Sequence, residues 1–283
     1  MKIPAQLVSL VEDGVIDEVV SQLMSGKEAA VYVVRCGDQL RCAKVYKEAA
    51  KRSFKQAAQY REGRNVRNSR RARAMAKGSQ FGRSEQEKIW QNAEIDALYA
   101  LQQAGVRVPE PYGCFDGVLL MELVCEEDGS VASRLNDVTM SPEQAIEDHQ
   151  VMLQYIQKML CIGIVHGDLS EFNVLVDDYG PVIIDLPQAV NAAANNNAKW
   201  MFERDVNNMR AYYGQFAPAL LSSQYAKEMW ALYIAGDLTP ETPLTGMFKE
   251  PEQAANISAV LDEIFAAQLE AETRQLRAEQ EFD

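Results

Sequence analysis

The chain has 283 residues, 47% of them apolar and 24% charged, and carries a net charge of −13. That length suits one two-lobed domain or two small ones with a sizeable core, and no apolar run approaches the roughly 20 residues of a membrane span. Only two histidines are present, His149 and His166, which excludes a histidine-rich metal centre. Five scattered cysteines without a Cys-x-x-Cys pair argue against a disulfide framework or a zinc site, and point to a reducing cytoplasm. Residues Met1 to Leu10 lack the basic and long apolar stretches of a secretory leader.

The charge is unevenly spread. Between Arg41 and Lys88 there are 15 Lys+Arg against 4 Asp+Glu, a local balance of +11, while the remainder holds 13 basic and 37 acidic residues. Such a block suits an anionic partner: nucleotide phosphates, RNA or an acidic protein surface. A solvated loop is the competing reading.

In chain order, residues 3–12 have the spacing of a short amphipathic helix. Three β-type segments follow, 16–24, 29–35 and 40–46, punctuated by Gly26 and by Gly37-Asp38, the pattern of an antiparallel meander. Residues 48–84 are basic and poor in large apolar side chains, and read as a helical stub followed by a long insertion. A helix is expected over 84–104, with Gly105 ending it, and then strands over 112–115 and 118–124. Ser141 and Pro142 are the N-cap and first residue of a second long helix, which runs to about Cys161 before Gly163. Short β runs at 164–166, 174–176 and 182–184 surround polar loops. From Lys199 the chain reads as mainly helical, ending in an acidic helix over 251–281. The order predicts an α+β fold in two lobes: an N-lobe over 1–121, a hinge at 122–126 and a C-lobe over 127–283.

The central segment is His166-Gly167-Asp168-Leu169-Ser170-Glu171-Phe172-Asn173, followed by Val182-Ile183-Ile184-Asp185. Phosphoryl transfer demands charge and alignment more than covalent chemistry. One carboxylate must orient an acceptor hydroxyl, and hard oxygen ligands must hold Mg2+ against the phosphates. Asp168 suits the first role. Asn173, five residues on, and Asp185, at the end of the next strand, suit the second. The same chemistry needs a cation upstream. Lys44, set among apolar neighbours in Cys42-Ala43-Lys44-Val45-Tyr46, must find a counter-charge. Glu94 is the leading candidate, with Glu85, Glu87 and Asp96 as rivals, and Lys47 competes with Lys44 for the phosphates. Ser25-Gly26-Lys27-Glu28 lies where a phosphate-covering loop belongs, although an ordinary hairpin turn fits the spacing equally well. It is not a Walker-type P-loop.

These stretches, with Ala29-Ala30-Val31-Tyr32, Trp90 and Ile184-Asp185-Leu186-Pro187-Gln188, resemble the RIO family of atypical serine/threonine protein kinases, closest to its first subfamily. The Asp-Leu-Pro-Gln stretch discriminates most, since ordinary protein kinases place Asp-Phe-Gly there. The resemblance spans about residues 15–215 and implies a trimmed kinase fold with Mg-ATP, or Mn-ATP, between the lobes. It implies that Ser25, Lys27 and Glu28 cover the phosphates, that Lys44 and Glu94 seat them, and that Asn173 and Asp185 hold the metal. By position, Met121 becomes the gatekeeper, and Glu122 and Val124 the backbone partners of adenine. The resemblance also implies a link to ribosome maturation and ATPase turnover through phosphorylation of Asp185.

Two other readings share this site. A small-molecule phosphotransferase of the aminoglycoside-kinase kind also carries His-Gly-Asp with a downstream Asn and Asp. An ATP-gated module binding RNA or a ribosomal particle would use the basic block. Asp205, on a helix beyond the metal loop, either braces the catalytic loop from behind or is a surface carboxylate.

Overall fold

The computed structural model describes residues 3–26, 29–47 and 93–249. The chain divides into two units, Met1–Thr245 and Gly246–Asp283. Every helix and strand below belongs to the first unit; residues 246–249 of the second form neither. The expected insertion over 48–84, the helical stretch before residue 93 and the acidic helix over 251–281 lie outside the described residues.

A short helix, α1 (Ala5–Glu12), precedes three strands, β1 (Glu18–Ser25), β2 (Ala29–Cys36) and β3 (Gln39–Tyr46). Helical residues 93–103, here α2, are followed by β4 (Pro111–Phe115) and β5 (Val118–Glu122). The five strands form one antiparallel sheet in the order β1-β2-β3-β5-β4. The β4–β5 turn is Asp116-Gly117, both at positive φ, as a two-residue hairpin with right-handed strand twist requires.

Successive side chains of a strand point to opposite faces, and this alternation builds the site. Ala43 and Val45 of β3, with Tyr32 and Val34 of β2 and Val118 and Leu120 of β5, pack against Leu7 and Leu10 of α1. The intervening residues, Cys42, Lys44 and Tyr46 of β3, face the other way, onto the cleft. There Leu119 joins Ala97, Leu98 and Leu101 of α2 in the larger core.

The second half of the unit is built around α3 (Pro142–Cys161), α4 (Ala198–Tyr213) and α5 (Tyr225–Ala235). Ser141 caps α3 as its sequence predicts: its hydroxyl oxygen accepts the Gln144 N–H at 3.2 Å. Buried Ala145, Met152, Ile156, Met159 and Leu160 form the inward stripe of α3. Five short strands lie between and around these helices: β6 (Ser133–Arg134), β7 (Ile164–Val165), β8 (Val174–Asp177), β9 (Gly180–Ile183) and β10 (Val190–Asn191). They pair as β6-β8-β9 and as β10-β7. Among the described residues, no helix is long and apolar enough to cross a membrane.

Candidate active site

A cavity of about 700 Å³ opens between the five-stranded sheet and the second half of the unit. Ala29, Val31 and Cys42 line its sheet side, and Leu175 and Ile184 its opposite side. Met121, Glu122 and Val124 lie along its edge, and Lys44, Asn173 and Asp185 at its polar end.

Lys44 Nζ donates to Glu94 Oε1 and to Asp185 Oδ1, both at 2.6 Å. Burial opposes the charge on Lys44, but the carboxylates of Glu94 and Asp185 outweigh it and raise the ammonium above its ordinary range. Of the rival partners, Asp96 is exposed, and Glu85 and Glu87 lie outside the described residues. The second oxygen of Glu94 accepts from the Tyr46 hydroxyl. Tyr46 shares the face of Lys44 by strand alternation, a signal present in the sequence although no role follows from it alone.

The loop after β7 is held from several sides. His166 Nε2 lies 3.0 Å from the Ile184 carbonyl, and His166 Nδ1 accepts the Asp168 N–H at 3.3 Å. One neutral tautomer, protonated on Nε2, satisfies both contacts, and burial lowers the imidazole's affinity for a second proton. Gly167 takes φ +81°, open to a residue without Cβ. Its N–H donates to Asp205 Oδ2 at 2.7 Å, and the Leu169 N–H to Asp205 Oδ1 at 3.1 Å. Asp205 is 2% exposed, so it is a brace beneath the loop rather than a surface carboxylate. Burial pushes its carboxyl up to about 7, against the pull of Arg204 and of the two N–H donors.

Asn173 ends a single 3-10 turn, Glu171–Asn173, and its Nδ2 donates to the Asp168 carbonyl at 2.8 Å. The Ile184 N–H donates to the Asn173 carbonyl at 3.0 Å, which ties the asparagine to the strand that delivers Asp185. Asp185 takes φ +66°, a left-handed backbone that few non-glycine residues adopt. Burial would raise its carboxyl, but Lys44 beside it outweighs this and holds it below the usual carboxylate range. Asp168 stands at the cavity's margin, where its Oδ2 accepts from Gln188 Nε2 at 3.2 Å. Burial raises the Asp168 carboxyl, with Arg204 opposing and Asp185 adding to the rise.

The set fits a triphosphate and a hard cation. Among the described residues, Asn173 Oδ1 and Asp185 Oδ2 carry no protein hydrogen bond, and these are the oxygen donors that Mg2+ prefers. No cluster of three His, Cys, Asp or Glu able to hold a metal by itself occurs among the described residues. Mg2+ sites take one or two protein oxygens and complete the shell with phosphates and water. The Val124 carbonyl accepts from the Ala132 N–H at 3.0 Å, while the Val124 N–H has no partner among the described residues.

The structure thus brings Lys44, Glu94, Asn173 and Asp185 together, with Asp168 alongside. Ser25 is exposed and outside the cavity lining; its Oγ accepts from Lys47 Nζ at 3.1 Å. Lys47 therefore grips the end of β1, where the Gly26 carbonyl is its second acceptor. Lys27, Glu28 and Trp90 lie outside the described residues. Arg134, which lines the cavity from β6 and reaches Met24 Sδ at 2.6 Å, has no signal in the sequence, because a two-residue strand shows no period.

A family model described as RIO domain matches residues 30–226, more than half of the chain. The chain belongs to the RIO domain family. This RIO protein is 34% identical over 214 residues to the RIO-type serine/threonine-protein kinase Rio1 of Haloferax volcanii, covering 74% of this chain and 68% of that protein. It is 28% identical over 222 residues to the serine/threonine-protein kinase rio1 of Schizosaccharomyces pombe, covering 76% of this chain but 42% of that one. The RIO-type serine/threonine-protein kinase Rio2 of Methanocaldococcus jannaschii is 27% identical over 210 residues, with 74% and 72% covered. The match runs from β2 into α5, so it takes in both sides of the cleft and Lys44, Glu94, Asn173 and Asp185 alike. The two-lobed, α+β, kinase-like fold expected from the sequence is the fold of this family.

Proposed function

We propose that ATP occupies the cleft with Mg2+ and that Asp168 directs its γ-phosphate onto a hydroxyl. The chain is a RIO-type serine/threonine protein kinase, and kinases of this kind use ATP with a divalent metal. The observation that carries the site assignment is Lys44 paired at once with Glu94 and Asp185, both at 2.6 Å, beside two uncommitted oxygen donors.

In this reading Lys44 contacts the phosphates from the sheet side, fixed by Glu94 and through it by Tyr46. Asn173 and Asp185 hold the metal, which when bound neutralises charge on the phosphate oxygens. Glu122 and Val124, within the 122–126 hinge, meet the adenine edge through their backbone, and Met121 guards the pocket behind it. Ser25, Lys27 and Glu28 close over the phosphates. Asp168 accepts the hydrogen bond of a serine or threonine hydroxyl and takes its proton as the new O–P bond forms and the bond to ADP breaks. The buried brace at Asp205 keeps the loop in that shape without moving during the reaction.

Incubation with γ-labelled ATP and Mg2+ tests this. Label is expected as phosphoserine or phosphothreonine, and Asp168→Ala should abolish it while nucleotide binding survives. Unchanged turnover in the purified variant would remove Asp168 from the role of base. Base-labile label on Asp185, or free phosphate alone, would point instead to ATPase output. Transfer to a small alcohol with no protein acceptor would favour the aminoglycoside-kinase reading.

One observation favours an additional partner. The 15 basic residues between Arg41 and Lys88 suit RNA or a ribosomal particle, in keeping with a role in ribosome maturation. All five cysteines are free thiols, which supports a cytoplasmic setting.

A further inference from the structure

Gln188 closes the Asp-Leu-Pro-Gln stretch that sets this sequence apart from ordinary protein kinases, yet none of the roles above uses it. Its amide Nε2 lies 3.2 Å from Asp168 Oδ2. Among the described residues it is the one hydrogen-bond donor to that carboxylate; the other Asp168 contacts, to His166 and Asn173, are made by the backbone.

The fold presents Gln188 at this spot for a definable reason. Val190 of β10 pairs antiparallel with Val165 of β7. Chain leaving that ladder backwards from Val190 therefore runs alongside chain leaving it forwards from Val165, which sets Gln188 opposite the Gly167-Asp168 bend. The approach is stiff. Leu186 is fully buried, Pro187 fixes its own φ, and the Ala189 N–H closes a turn onto the Leu186 carbonyl at 3.0 Å. Gln188 itself is half-buried and lines the cavity, so its amide meets Asp168 from the reaction side.

We infer that Gln188 is a positioning residue for the base: its amide occupies Asp168 Oδ2 and turns Oδ1 toward the acceptor hydroxyl. The inference rests on the reading of Asp168 given above. A carboxylate on two rotatable bonds has several rotamers open to it, and one directional donor selects among them. Because the contact is to the base rather than to nucleotide, its loss alters the chemical step and leaves ATP affinity in place.

The test uses the full chain in four forms: the natural protein, Gln188→Met, Asp168→Asn and the double variant. Met keeps the length of Gln and removes the donor. Phosphate release from Mg-ATP and label transfer are followed at varied ATP, alongside thermal melting and binding of a fluorescent ATP analogue. Gln188→Met is expected to lower kcat by roughly 10- to 100-fold, the scale of a misaligned reacting group, with KM for ATP and melting unchanged. In the Asp168→Asn background the same change should cost less than about twofold, since residues acting through one another are not additive. An equal loss in both backgrounds, or a raised KM with kcat intact, would overturn the inference. If Asp168→Asn abolishes turnover and Gln188→Met has no effect, this inference fails while the assignment of the base survives. If Asp168→Asn itself leaves turnover intact, the assignment of the base fails first.

Discussion

Lys44 on strand β3 reaches across the cleft to Asp185 on the opposite side, Nζ to Oδ1, at 2.6 Å. The same ammonium neutralises Glu94, whose side chain is 3% exposed. One cation thus joins the sheet, helix α2 and the loop that carries Asp185, and each partner depends on it. Removing it leaves a carboxylate buried without a counter-charge, which costs far more than the net value of the pair. Lys44→Met should therefore destabilise the protein by about 3 to 5 kcal/mol as well as abolish phosphate transfer. Chemical denaturation measures the first effect, and an unchanged midpoint would show that Glu94 does not need the ammonium.

Metal dependence separates the two oxygen donors from the base. Asn173→Ala removes Asn173 Oδ1 and also the bond from Asn173 Nδ2 to the Asp168 carbonyl. Asp185→Asn keeps the shape of the side chain but halves its acceptor character. Both should raise the Mg2+ concentration needed for half-maximal turnover by more than about tenfold, the cost of losing even an outer partner of a metal site. Titration with Mg2+ at saturating ATP measures this. A variant that lost turnover with its Mg2+ requirement unaltered would place that residue outside the metal site.

Much of this site was legible in the chain. The apolar neighbours in Cys42-Ala43-Lys44-Val45-Tyr46 marked the lysine as needing a counter-charge, and the spacing of Asp168, Asn173 and Asp185 around short β runs suggested that the three converge at one sheet edge. Ser141-Pro142 announced α3 because capping is local chemistry. The remainder was hidden for physical reasons. Strands β6 and β10 have two residues each, too few to show a period, so Arg134 and the ladder behind Gln188 gave no sign. A single carboxylate on a helix does not reveal which way it faces, so Asp205 read equally well as brace or surface charge. Arg107 and Asp177 are separated by 70 positions, and nothing local in either marks the other as its partner.

That last pair makes a clean control. Arg107 Nη1 donates to Asp177 Oδ1 at 2.6 Å and to the Gly180 carbonyl at 3.3 Å, and its second nitrogen reaches the other carboxylate oxygen. Asp177 is 7% exposed. The fork clamps the β8–β9 hairpin to the chain before β4, and neither Arg107 nor Asp177 lines the cavity. Arg107→Met should lower stability by about 1.5 to 3 kcal/mol, the range for hydrogen bonds to a charged group, and leave KM for ATP within twofold. A loss of ATP affinity at a temperature well below unfolding would tie this clamp to the nucleotide site.

The basic block offers a prediction independent of catalysis. If phosphate contacts from Arg61–Arg73 hold RNA, neutralising those arginines should weaken RNA binding and flatten its dependence on salt, because each lost contact releases fewer counterions. ATP affinity should be unchanged. Filter binding at several salt concentrations decides it, and equal loss of RNA and ATP binding would assign the block to the nucleotide site.

Asp205 supplies the pH prediction. Its carboxyl is pushed up to about 7 by burial, well above the value of about 3.9 for an unfolded chain. The folded protein therefore binds this proton more tightly than the unfolded chain does. The stability it contributes is complete below about pH 4 and is lost as the pH rises through about 7. Asp205→Asn removes the titration, so the variant should lose less stability than the natural protein between pH 5 and pH 8, measured by denaturant unfolding at each end. An amide offers one acceptor oxygen to the Gly167 and Leu169 N–H groups, where the carboxyl group, protonated at pH 5, still sets an oxygen against each. The variant should consequently be less stable than the natural protein at pH 5, with lower kcat, since the loop carrying Asp168 has lost half its brace. If both proteins changed in parallel from pH 5 to pH 8, the proton would belong to another group and Asp205 would be a fixed anion beneath the loop.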